Sequence, residues 1–195
     1  MGGTTGYGME SGEGHMRWSP HEAAALEVRQ QGPSDCGCTS LANVFLSLNI
    51  DVPSEQLRQA ATIRARAYDA PVPQYLTSRS VAGATAHDLI KDVEKITAGS
   101  VRGRLFEMSP ARALPPGELF RWLEWWLRLD VAAVATMNYQ VIHPSADAWH
   151  HQLIYGVQGT ATRSGENLQL AWMLNPHQPI PMTALCSVIA SHRVS

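Results

Sequence analysis

The sequence predicts an α+β fold, with helices first and a mainly antiparallel sheet after them. Three observations predict it. Up to Leu129, apolar residues recur at helical spacing behind recognisable caps. After Asp130 the pattern changes to short apolar, partly β-branched runs of strand length. The chain has 195 residues, 45% of them apolar, which suits one domain with a sizeable core.

Residues 1–16 hold six Gly and almost nothing to bury, so they read as a flexible tail ahead of a single domain over 17–195. Ser19-Pro20 opens a short helix, with Ser19 as N-cap and Pro20 at the first helical position. From Cys36 to about Leu48 the residues Leu41, Phe45 and Leu48 recur at helical spacing, and Asp35 sits where an N-cap belongs. A further helix is expected from Ser54 to about Arg66. Asp69 to Ala84 contains Pro71, Pro73 and Gly83 and reads as a loop. Thr85, with Asp88 three residues on, forms a capping-box pair that starts a helix running to Ile96. Pro110, Pro115 and Pro116 then break the pattern. Gly117 to Leu129 is strongly amphipathic, with Leu119, Trp122, Leu123, Trp126 and Leu127 on its apolar face. Strands are expected at Val131–Met137, His151–Val157 and Leu168–Leu174. A link containing Gly159, Ser164, Gly165 and Asn167 joins the last two.

Composition narrows the function. Lys plus Arg number 15 and Asp plus Glu 17, a net charge of −2, which argues against a nucleic-acid partner. No apolar run approaches the roughly 18–20 residues needed to cross a bilayer, so no membrane span is expected. No secretory signal is visible in residues 1–14, and the position after Met1-Gly2 that myristoylation would need as Ser or Thr is Gly6. A cytoplasmic location is therefore expected. Three Cys are too few for a disulfide framework and fit a reducing compartment with a catalytic thiol. Cys36-x-Cys38 has no second pair, Cys186 stands alone, and His87, His143, His177 and His192 form no metal-spaced set. Neither a metal nor a cofactor is expected.

Cys36 lies at the expected N-terminus of a helix, where unsatisfied N–H groups and the helix dipole favour a thiolate. Cys38 lines up with Leu41, Phe45 and Leu48 and is expected to face the core, with Cys36 about 200° around the helix and free to react. A thiolate needs a base, a group to orient that base and donors for the oxyanion. Chain order supplies candidates. Gln30 lies six residues before Cys36, with Gly32, Pro33 and Ser34 between to bend the chain back, so that its amide donates beside the Cys36 N–H. His150 opens the second strand and Asn175 closes the third, where neighbouring antiparallel strands bring their side chains together. Trp122, Trp125 and Trp126 read as core and groove wall.

Gln30-Gln31-Gly-Pro-Ser-Asp-Cys36-Gly37, followed by Leu41-Ala42-Asn43, resembles the nucleophile segment of papain-like cysteine peptidases. The resemblance is closest to their bacteriocin-processing, double-glycine branch. His150-His-Gln-Leu-Ile-Tyr-Gly156 and Leu174-Asn175-Pro176 resemble that family's His and Asn segments, and the likeness selects His150 over His151. It covers roughly residues 28–185. It implies a papain-like fold, a helical half carrying the nucleophile and a C-terminal antiparallel sheet. It also implies a Cys36-His150-Asn175 triad with Gln30 at the oxyanion. The implied partner is a peptide or protein substrate with small residues near the cleaved bond. Two other readings stay open on the same residues. One is an acyltransferase, in which an amine resolves the thioester of an acyl donor. The other is an inactive module that only holds a peptide. Nothing in the sequence speaks to the oligomeric state.

Overall fold

The computed structural model describes residues 14–28, 36–51, 84–108, 114–138, 149–161, 167–174, 178–185 and 187–194. They form β1 (Gly14–Met16), α1 (Pro20–Leu26), α2 (Cys36–Ser47), α3 (Ala86–Ile96), β2 (Val101–Glu107) and α4 (Pro116–Arg128). There follow β3 (Ala132–Asn138), β4 (Trp149–Ala161), β5 (Asn167–Leu174), β6 (Gln178–Pro181), a short 3₁₀ turn (Met182–Ala184) and β7 (Ser187–Arg193). The expected α+β class is what the chain adopts. All strand pairs are antiparallel, in the order β2-β7-β3-β4-β5-β6, with β1 added to β4.

The caps read from sequence are made. Ser19 accepts from the Glu22 N–H while Glu22 accepts from the Ser19 N–H, and Thr85 and Asp88 do the same for α3. Each such cap is worth about 1 kcal/mol. The expected helix at 54–66, the Asp35 cap and most of the loop at 69–84 lie outside the described residues.

The sheet has two covered faces. On one, Leu41, Val44 and Phe45 of α2 and Leu89 and Val93 of α3 pack on Val134, Leu153, Tyr155 and Ile189. On the other, Leu119, Phe120, Leu123 and Leu127 of α4 pack on Ala133, Ala135, Met137, Ile154 and Met173. Each of these large side chains contributes about 1.5–3 kcal/mol by leaving water. Trp122 and Trp126 pack against Phe106, with ring centroids 4.7 and 6.3 Å away, as expected of core aromatics. Trp125 departs from that expectation: it is 54% exposed, on the outer side of α4.

The tail boundary is corrected. Gly14–Met16 is a strand paired with Gly156–Gln158 of β4, so structure begins before residue 17. Beyond it, the Arg17 N–H donates to the Tyr155 carbonyl at 2.8 Å. Gly14 makes the close pairing possible, because a Cβ there would run into the Val157 carbonyl oxygen. β2, β6 and β7 were not expected from the sequence.

Candidate active site

Cys36 is the first residue of α2 and is 5% exposed. Its backbone N–H lies in the first turn, ahead of any intrahelical carbonyl partner, where the dipole presents roughly half a positive charge. The expectation about the two cysteines is reversed in burial: Cys36 is buried and Cys38 partly exposed. The reason is that α2 is enclosed on nearly every side. Only Cys38, Ala42 and Leu46 are partly exposed, so apolar periodicity does not mark one inner face.

His150 is the second residue of β4, 7% exposed, and pairs with Met137 of β3. His151 pairs with Thr136. Alternation therefore sets His150 on the face that α4 covers and His151 on the face that α2 covers. The role of His151 can be read atom by atom. Its Nε2 lies 2.6 Å from the Ala84 carbonyl, which only accepts, so Nε2 carries the proton. Its Nδ1, 2.9 Å from the Thr136 hydroxyl, then accepts. Burial is the main cause that holds this imidazole below the usual histidine range; the Ala84 carbonyl works the other way. Both ring nitrogens of His151 are thus committed to holding β3, β4 and the start of α3 together.

Two contacts bring α2 to this end of β4. Ser40 lies four residues after Cys36, one turn along the same side of the helix, and its hydroxyl donates to the His151 carbonyl at 2.8 Å. Gly37 packs against Ala84, whose Cβ is 2.6 Å from where a Cβ on residue 37 would sit. A side chain there would push the first turn of α2 away from the Ala84 carbonyl and its histidine. Among the described residues β5 pairs with β4 only from Leu153↔Leu174 onward, so Ser40 reaches β4 beside the end of that pairing. The structure thus brings the N-terminal turn of α2 and the His150 end of β4 together. It does not put His150 on the sheet face that α2 covers.

Gln30 and Asn175 lie outside the described residues. Their neighbours are held. The Asn43 side chain clamps the Val28 peptide, accepting from its N–H at 3.0 Å and donating to its carbonyl at 3.2 Å. That fixes the chain two residues before Gln30. Leu174, just before Asn175, is paired with Leu153 and fully buried. Ser40, Ala84 and Thr136 were not singled out from the sequence. Ser40 carried a signal, as a polar residue one helical turn from the nucleophile candidate. Thr136 and Ala84 depend on strand register and loop return, which leave no local mark.

The described residues hold no group of three or more His, Cys, Asp or Glu placed to bind a metal ion. No helix among them is long and apolar enough to cross a membrane. Comparison with protein-family models and with curated proteins gives no match to this chain.

The state of His151 predicts a pH effect. A His whose folded pKa lies below its unfolded value of 6.5 takes up more protons when unfolded, so stability is full above that value and falls as pH drops below it. Melting temperature should decline from about pH 7 to about pH 5, and His151→Gln should make the decline shallower. Equal slopes would mean that His151 carries no such linkage.

Proposed function

We propose that this chain is a papain-like cysteine peptidase or a closely related amide hydrolase. One observation supports the reading above the others: the buried thiol at the head of α2 is tied, through Ser40, to the strand residue next to His150. Both His151 nitrogens are engaged by the fold, which supports the reading of His150 as the base. The Cys36 thiolate attacks the substrate carbonyl, and the oxyanion is held by the Cys36 N–H and the Gln30 amide. His150, oriented by Asn175, gives its proton to the leaving amine as the C–N bond breaks and a thioester remains. His150 then takes a proton from water, which attacks the thioester, and a carboxylate leaves as the thiol re-forms. The substrate is an extended peptide or protein segment.

Limited iodoacetamide labelling at near-neutral pH, followed by peptide mapping, tests this. Accessibility alone favours Cys38 over Cys36. Preferential labelling of Cys36 therefore requires a thiolate stabilised by its surroundings. Labelling led by Cys38 or Cys186 would remove the assignment.

A further inference from the structure

We propose that Ser40 is a positioning residue for the reaction, setting the first turn of α2, and the Cys36 thiol with it, against the His150–His151 end of β4. This rests on the Cys36–His150 pairing proposed above and adds to it a residue that touches neither substrate nor reacting atoms.

Three observations carry it. Ser40 is fully buried in the interior of a helix, a place where serine gains nothing from propensity. Its hydroxyl leaves the helix and donates to β4, at the carbonyl of the residue following His150, over 2.8 Å. It stands one helical turn from Cys36, so a shift at this bond is passed to the thiol by a rigid turn of α2. The acceptor is itself immobile. His151 is fixed by its ring to Ala84 and Thr136, and Ala84 in turn packs against Gly37 beside the nucleophile. The first turn of α2 is therefore clamped to one residue of β4 by two routes. One is the Ser40 hydroxyl to the backbone. The other runs from Gly37 through Ala84 to the ring. Only the first can be cut by removing a single atom without opening a cavity.

The test is the pH dependence of Cys36 alkylation in Ser40→Ala, read by mass spectrometry of the mapped peptide beside melting temperature. Wild type should react well below the ordinary thiol range, and His150→Ala should abolish that advantage. Ser40→Ala should stay folded and move the profile toward an ordinary thiol. Its rate near pH 6 should fall by about tenfold to a hundredfold, the scale on which small misplacements act. Ser40→Cys, of similar size and a weaker donor, should fall between; it also serves should the alanine variant not fold. A profile unchanged from wild type in a folded Ser40 variant would overturn the proposal. If wild type itself reacts like an ordinary thiol, and His150→Ala changes nothing, the catalytic pair is what fails, and Ser40 then has nothing to position.

Discussion

Replacing Cys36 with alanine is expected to abolish turnover while the fold survives. The sulfur forms the covalent bond, so its loss removes the mechanism, a drop on the order of 10⁴–10⁶-fold. The structural cost is small, about 1 kcal/mol, because Ala keeps the Cβ and adds no polar group at the head of α2. Asn175→Ala should behave differently. Asn175 only orients His150, and a thiolate–imidazolium pair persists without it because its charges attract. Part of the rate should remain. Should Asn175 merely shape the turn before Pro176, its loss would lower the melting temperature and leave the rate per folded molecule unchanged. Active-site-titrated turnover and melting temperature on the same samples separate these outcomes. Residual activity in Cys36→Ala near that of wild type would end the nucleophile assignment.

The elements legible in the sequence are those whose information is local. α1 and α3 begin at capping boxes, Ser19–Glu22 and Thr85–Asp88, that two residues specify. α4 shows one apolar face because it lies on the sheet with its other side in water. β3, β4 and β5 are central or next to central and rich in apolar side chains. Of the strands that stayed hidden, β1, β2 and β6 are short or at edges, while β7 is interior but offers only Val188-Ile189-Ala190 between Ser187 and Ser191. β6 contains Pro179 and Pro181, which a sheet tolerates at its edge and which read as a loop in isolation. β2, at the other edge, alternates Arg102 and Arg104 with Gly103 and Leu105, so its apolar signal is thin. β1 spans three residues, and its close pairing with β4 depends on Gly14, where a Cβ would run into the Val157 carbonyl oxygen.

The site was legible to the same degree. Cys36 at a helix start and the two adjacent histidines are sequence facts. Which cysteine is buried was not legible, since α2 is enclosed on both its apolar and its polar sides, with Thr39, Ser40, Asn43 and Ser47 all buried. Nor was the function of His151. It depends on a carbonyl 67 residues away in sequence and a hydroxyl on the neighbouring strand.

His150 and His151, adjacent in sequence, should give opposite results when changed to alanine. His150→Ala should lose turnover by about 10²–10⁴-fold, the usual worth of a positioned general acid–base, with little change in stability. It should also slow Cys36 alkylation near pH 6, because the imidazolium that stabilises the thiolate is gone. His151→Ala leaves the partly buried Ala84 carbonyl and the buried Thr136 hydroxyl without the ring that joins them. Losing such partners costs about 1–3 kcal/mol for each group. At a total of about 3 kcal/mol, the melting temperature of a chain this size should drop by roughly 6–12 °C. Its folded fraction should still label at Cys36, because the Ser40 bond goes to the His151 backbone and survives the loss of the ring. The alternative is specific. His151 lies on the face that α2 covers, and a base there would need to release Ala84 or Thr136 before it could take a proton. Were that the mechanism, His151→Ala would erase alkylation at pH 6 in folded protein and His150→Ala would leave it intact. Measuring both variants by thiol alkylation, turnover and thermal melting decides between the two histidines.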